Sequence, residues 1–217
     1  MPVTSIFETL QVKGIQRKVL KPVLRLKPEW IFIDGYFCFP EAELFLCGFL
    51  LDHKPSGSEI NIHIQPLFRN ELQFNLSYAE KIRGIAGTIE RKGKSGKDIA
   101  EEFIRKTKPL IDRAKERDSL KEFVDYIEES RIYRNSRVCF DYGLALILQE
   151  RYEEAEKYLS EVAESEWTIK CVPQEAKSAS CLVKALNADP QEAGGIVHSY
   201  LLANKKLLAK NLTNTTT

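Results

Sequence analysis

The chain is poor in the features that mark several common classes of protein. Its 217 residues include one methionine, two tryptophans and three histidines, and the formal net charge is only +1. A nearly neutral chain offers no overall electrostatic attraction to nucleic acid or to a membrane surface. The most apolar stretch, residues 44–51, is too short to span a bilayer, and residues 1–12 lack the pattern of a signal peptide. These absences predict a cytoplasmic protein with no membrane partner.

The five cysteines show neither a disulfide framework nor a metal-site spacing. Their number is odd, and no two of them fall in a C-x-x-C pattern, which favours a reducing compartment. Cys38 lies among aromatic residues and Cys139 lies in a helical segment, so we expect both to be buried as small apolar groups.

Motifs of catalysis and cofactor binding are also missing. The sequence contains neither the nucleophile motif G-x-S-x-G nor the zinc-binding motif H-E-x-x-H. Two common types of catalytic site are therefore not indicated. Gly93-Lys94-Ser95 resembles the end of a phosphate-binding loop, but the preceding glycine, Gly87, is one residue too far away. We therefore expect no cofactor and no metal ion.

The first part of the chain has the composition of β-strands. Asp34-Gly35 is a strong hairpin signal, and the short connections predict an antiparallel meander. Within the fourth segment, isoleucines alternate with polar residues, so we predict one buried face and one solvent-facing side that carries His63. The segments rich in β-branched and aromatic residues are 30–33, 36–39, 43–51 and 59–68.

The pattern changes after a short polar stretch. Residues 91–97 read R-K-G-K-S-G-K and contain no apolar side chain, which predicts a linker. Apolar residues then recur with a helical period. We therefore predict an α+β chain, with a mainly antiparallel β domain at 1–90, helical hairpins at 98–210 and a disordered tail at 211–217.

Residues 138–164 predict two short helices joined by a tight turn. The small residues Gly143 and Ala155 stand where the two helices must approach closely. This hairpin resembles a tetratricopeptide repeat. The matching residues are Cys139, Tyr142, Gly143 and Leu146 on the first helix and Tyr152, Ala155, Leu159 and Val162 on the second.

The match departs from the family at two places. Cys139 stands where the family has a large aromatic residue, and Glu150-Arg151 replaces the usual glycine of the turn. The other predicted helices match the repeat poorly, so a plain helical bundle is the alternative architecture for residues 98–210.

The resemblance implies a non-catalytic module that binds another protein. Immunity proteins, which neutralise a toxin, are one example of such a module. This example rests on analogy of fold and composition alone. Self-association is the second option, because a basic N-terminal element and an acidic helical face can dock between two copies. The candidate partner-binding residues are Tyr133, Tyr142, Tyr158, Glu154 and Trp167.

Two other classes of function stay open. Residues 13–27 contain no acid, and this basic segment can attract nucleic acid or another anionic surface. A half-buried element with a solvated basic face is the simpler interpretation, because apolar residues are interleaved. The candidate anion-binding residues are Arg17, Lys18, Lys21 and Arg25. A hydrolase-like enzyme would use His53, His63 and Asp52, provided that their strands pair and bring them together.

Overall fold

A computed structural model describes residues 14–215, except residues 34, 55–56, 71–77, 117 and 131–134. For residues 14–17 and 211–215 it describes the backbone alone. An antiparallel sheet precedes a series of helices, so the predicted α+β class is confirmed. No helix in this part of the chain combines the length and the apolar character that crossing a membrane requires.

The chain folds as two compact units. The first comprises Met1–Gln65 and Phe74–Asp118, and the second comprises Pro66–Gln73 and Ser119–Thr217. This division differs from the predicted one, because the polar stretch 91–97 falls inside the first unit. Gly93 lies in a turn there with a positive φ of 75°, which glycine adopts without steric cost, and Gly96 is the first residue of the helix that follows.

The first unit is built on an antiparallel sheet. Its strands follow one another in the order β1-β2-β3-β4-β5, and β6 also pairs with β4, so the predicted meander is confirmed. The elements are α1 Gly14–Leu26, β1 Ile31–Ile33, β2 Tyr36–Cys38, β3 Phe45–Lys54, β4 Gly57–Pro66, β5 Glu80–Lys81, β6 Thr88–Ile89, α2 Gly96–Thr107 and α3 Ile111–Glu116.

Helix α2 belongs to this unit because its apolar side packs against aromatic residues of the sheet. The ring of Phe103 lies 5.2 Å from Phe37 and 6.3 Å from Phe49, centre to centre. The helix begins with a capping box, in which Ser95 and Asp98 satisfy each other's backbone N–H groups. A helix that starts and packs in this way extends the sheet unit beyond the predicted boundary.

The predicted solvent-facing side of β4 is wrong at two positions. His63 and Gln65 are both fully buried, as are Ile60 and Ile62. The imidazole of His63 lies 4.2 Å from the ring of Tyr36 on β2. Alternation predicts which residues share a face, but whether that face is covered depends on the rest of the fold.

The second unit is helical. Its elements are α4 Leu120–Ser130, α5 Ser136–Leu148, α6 Tyr152–Glu164, α7 Glu166–Cys171, α8 Pro173–Ala188 and α9 Pro190–Thr215. The predicted tail is corrected, because residues 211–215 continue α9, and residues 216–217 lie outside the described part of the chain.

Helices α5 and α6 form the predicted hairpin, and the expected close approach occurs at Gly143. A Cβ atom at that position would lie 2.7 Å from the Cγ of Leu159. The turn contains Glu150, whose φ of 59° is left-handed. A glycine would adopt this conformation without strain. Glutamate is therefore less suited than glycine to position 150.

Candidate functional site

A cavity of about 240 Å³ lies within the helical unit. It is formed by the segment after β4, by the start of α5 and by the junction of α7 with α8. Cys171 ends α7, Val172 connects the two helices, and Pro173 is the first residue of α8. The lining residues are Arg69, Asn70, Arg137, Cys171, Val172, Pro173, Gln174 and Glu175.

Arg69 forms the inner wall of the cavity and bridges two buried acids. Its Nε lies 3.0 Å from Asp141 Oδ1, and its Nη2 donates to Glu175 Oε1 at 2.6 Å. All three side chains are at least nine-tenths buried. A buried charge is tolerated only when it is paired and hydrogen-bonded, so this cluster depends on all of its members.

The segment that carries Arg69 is anchored by amide side chains. Asn204 of α9 donates from Nδ2 to the carbonyl oxygens of Leu67 and Arg69, at 2.7 and 2.9 Å. Asn70 donates to the hydroxyl of Ser178 on α8 at 2.8 Å. Arg69 is therefore held in place by helices far away in the sequence, which makes the inner wall a pre-formed feature.

The accessible part of the cavity has positive character. The Arg137 side chain is 35% exposed, and its Nε lies 3.9 Å from Glu175 Oε1, beyond hydrogen-bonding distance. The N-terminus of α8 also faces this region, and its cap residue Val172 provides no side-chain acceptor. Pro173 has no N–H, and the Glu175 N–H donates to the Val172 carbonyl oxygen at 3.0 Å. The Gln174 N–H is therefore the donor that the first turn of α8 offers, and the aligned peptide dipoles give this helix end a partial positive charge.

A second cluster lies on the α5–α6 hairpin and contains three of the predicted partner-binding residues. The rings of Tyr142 and Tyr158 meet at 4.8 Å in an edge-to-face arrangement. Tyr142 donates to Glu128 at 2.7 Å, while both oxygens of Glu154 accept hydrogen bonds from Arg151. Burial, together with the Glu128 carboxylate, raises the pKa of Tyr142 well above its usual value.

The predicted partner-binding residues differ in accessibility. Tyr142 is buried and Tyr158 is half-buried, so both serve the packing of the hairpin, whereas Glu154 is exposed. Trp167 on α7 is 53% exposed, and Ile169 on the same helix is 52% exposed. Tyr133 lies outside the described residues. Of the predicted anchors, Trp167 is thus the exposed aromatic residue in the described part of the chain.

The predicted anion-binding residues lie on α1, a helix where the sequence predicted only a half-buried element. Lys18, Lys21 and Arg25 are exposed, while Val19 and Val23 on the same helix are buried. The Arg17 side chain lies outside the described residues. The helix is therefore a half-buried element with a basic outer face.

The structure does not bring the predicted catalytic residues together. His53 Nδ1 lies 2.6 Å from Ser58 Oγ, beside the connection between β3 and β4, and Asp52 pairs with Lys54 at 3.8 Å. His63 follows Ser58 by five residues on β4, about 16 Å at strand spacing. Burial lowers the pKa of His63 to about 3, so it is neutral and removed from solvent.

The residues of the cavity were missed by the sequence analysis. Asp141 gave a signal that could have been used, because it is an acid inside the apolar run of α5, and a buried acid needs a cation. Nothing in the sequence connected it to Arg69 or to Glu175. Among the described residues there is also no cluster of histidine, cysteine and acidic side chains that could hold a metal ion.

Comparison with protein-family models, with curated proteins and with solved structures gives no match to this chain.

Proposed function

We propose that this protein is a non-catalytic interaction module that binds another protein through its helical unit. The observation that carries the proposal is the exposure of Trp167 and Ile169 on α7, next to a pre-formed cavity. Tryptophan is among the residues that most often dominate the binding energy of protein interfaces. A short helix that presents two large apolar side chains to solvent is a natural site for a partner.

The resemblance of the α5–α6 hairpin to a tetratricopeptide repeat supports the same class of function. Repeats of that family are binding scaffolds, and the close approach of Gly143 to Leu159 is the packing that such a hairpin needs. The partner in this proposal is a different protein. Neutralisation of a toxin, as in an immunity protein, is a narrower form of this activity, and self-association is the alternative to it.

The alternative functions have weaker support. The enzyme hypothesis required His53 and His63 to meet, and the fold separates them. The nucleic-acid hypothesis rests on three described cations of α1, namely Lys18, Lys21 and Arg25. Three phosphate contacts correspond to a salt slope of only about −2.7, against six to ten contacts for proteins that bind DNA with a strong electrostatic component.

The test is affinity capture from the native cell extract at low and high salt, with mass spectrometry of what is retained. The wild-type protein is compared with a W167A/I169A double variant and with L202A, which removes an equally exposed apolar residue of α9. We expect wild type and L202A to retain one stoichiometric protein at high salt and the double variant to lose it. Equal retention by all three proteins would place the interface elsewhere.

Tryptophan fluorescence gives an independent readout with the captured partner. The chain has two tryptophans, and Trp30 is buried in the first unit. Quenching by a soluble quencher therefore reports mainly on Trp167. We expect the partner to protect Trp167 from quenching, and a W167F variant to show no change in the remaining signal.

A further inference from the structure

The size of the cavity limits its occupant. Binding sites for drug-sized ligands and cofactors usually measure about 300–1,000 Å³, whereas this one measures about 240 Å³. A single side chain or another small group fits such a volume. The occupant is therefore a part of a larger molecule or a small compound, not a nucleotide cofactor.

The charges of the cavity select the chemistry of that group. Arg69 forms ion pairs with both Asp141 and Glu175. The two positive charges of Arg69 and Arg137 therefore balance the two negative charges of these acids. The exposed side of the site consists of the Arg137 guanidinium and the start of α8, both of which attract anions. A guanidinium with free donors binds a carboxylate in a fixed geometry.

Glu175 provides a second and independent indication of a ligand. Its side chain is only 7% exposed, and it lines the cavity. Its Oε2 atom has no hydrogen-bond partner among the residues that the structure describes. A buried carboxylate oxygen without a donor is costly, so an N–H group of the occupant would satisfy it.

A cationic occupant is disfavoured by the same geometry. Glu175 Oε1 already accepts from Arg69 at 2.6 Å, and the Arg137 guanidinium approaches the same oxygen to 3.9 Å. A third cation would meet both arginines and the positive end of α8 at short range. A neutral N–H donor meets the need of Oε2 without this repulsion.

The surroundings of the cavity indicate a protein as the source of the group. Cys171 lines the cavity, and Trp167 precedes it by one helical turn on α7, about 6 Å along the axis. Side chains two residues apart in an extended peptide point the same way and lie about 7 Å apart. An apolar residue and an acidic residue at that spacing would contact Trp167 and enter the cavity together.

We propose that the cavity binds the side-chain carboxylate of an acidic residue of the protein partner, with the Arg137 guanidinium and the Gln174 backbone N–H at the start of α8 as donors. A peptide N–H beside that residue donates to Glu175 Oε2. This inference rests on the proposed function, because a free organic acid would make no use of the apolar surface at Trp167.

The experiment uses the full ¹⁵N-labelled protein and a blocked peptide, acetyl-Leu-Ala-Glu-Ala-amide, followed by NMR. The readouts are the Arg137 Nε–H, the Gln174 backbone amide and the Trp167 indole N–H. We expect all three signals to shift with a Kd of about 1 mM. The peptide with Gln in place of Glu should bind at least about tenfold more weakly, because it lacks the charge-assisted hydrogen bonds.

Variants of Arg137 distinguish binding in the cavity from a general attraction of the peptide to positive charge on the surface. R137Q should abolish the shift of the Gln174 amide, and R137K should weaken binding, because lysine lacks the planar guanidinium. K170Q is the matched control, since it removes one positive charge from exposed α7 without altering the lining. Equal binding by R137Q and K170Q would overturn the inference, as would equal affinity for the two peptides.

The remaining outcomes distinguish the sources of the carboxylate. If acetate shifts Arg137 and Gln174 with the affinity of the peptide while Trp167 stays unchanged, the cavity takes free acids and the assignment to a partner is wrong. If R137Q retains the captured partner as well as wild type does, while W167A/I169A loses it, the cavity inference fails and the proposed function stands. If no protein is captured by wild type, both are overturned.

Discussion

Gly143 on α5 packs directly against the side chain of Leu159 on α6: a Cβ atom at position 143 would lie 2.7 Å from the Leu159 Cγ. Leu159 is fully buried, so it has little room to move away. We expect G143A to lower the free energy of unfolding by about 1–3 kcal/mol, the usual cost of overpacking a core. Urea denaturation of the full chain measures this change.

The control for this prediction is the same substitution on another helix of the unit. Gly194 lies in α9, and a Cβ atom there would meet nothing within 4 Å. Alanine is favoured over glycine in a helix by up to about 1 kcal/mol, so G194A should be neutral or stabilising. A G143A protein as stable as G194A would show that the two helices do not approach as described.

The buried ion pairs of Arg69 predict an unequal cost for removing a carboxylate. D141N removes a charge partner of the fully buried Arg69. We expect the free energy of unfolding to fall by about 3–5 kcal/mol. The control is D125N, which breaks the exposed pair between Lys121 and Asp125 on α4 and should leave the free energy of unfolding almost unchanged, because solvent screens an exposed pair. Similar small losses for both variants would contradict the buried network.

The burial of His63 predicts a dependence of stability on pH. Its pKa in the folded protein is lowered from 6.5 to about 3, so between these values the unfolded chain binds a proton that the folded chain does not. Stability is therefore complete above pH 6.5 and falls as the pH drops towards 3, by up to about 1.4 kcal/mol per pH unit.

Urea unfolding at a series of pH values measures this slope. The range from about pH 6.5 down to about pH 5 is the informative one, because most carboxylates stay ionised there. An H63F variant, which keeps an aromatic ring beside Tyr36, should lose the slope. The same slope in wild type and H63F would exclude His63 as its origin.

The cysteines should divide into two classes of reactivity. Cys171 and Cys181 are exposed, whereas Cys38, Cys47 and Cys139 are buried. Burial raises the pKa of Cys38 well above its usual value and that of Cys139 to about 12, and the thiolate is the reactive form. Iodoacetamide should therefore modify two cysteines of the native protein, as counted by intact-mass spectrometry.

The same labelling links the cysteines to the cavity. Cys171 lines it and Cys181 does not, so the acidic peptide should slow alkylation of Cys171 while leaving Cys181 unchanged. Labelling of a third cysteine at the rate of the first two would contradict the burial of Cys38, Cys47 and Cys139.

Features with a local origin were predicted well from the sequence. The antiparallel meander, the hairpin of α5 and α6 and the burial of Cys38 and Cys139 all follow from short-range periodicity and turn residues. The amphipathic character of α1 is of the same kind, with Val19 and Val23 inside and Lys21 outside. Such patterns are readable because neighbours along a helix or strand share one environment.

Features that depend on distant parts of the chain were predicted poorly. The second face of β4 was assigned to solvent, yet His63 and Gln65 are buried. The stretch 91–97 was interpreted as a linker, whereas the packing of Phe103 on the sheet includes α2 in the first unit. In both cases the residues lacked a local signal for what would cover them.

Local patterns in the sequence account for most of the helices and strands, for the turns between them and for which residues of each element share a face. The tertiary fold alone brings Arg69, Asp141 and Glu175 together behind Arg137 at the start of α8. These four residues come from three separate segments of the chain. Local periodicity orders residues within one element, whereas a charge cluster forms only when burial brings several elements together and requires their charges to be paired.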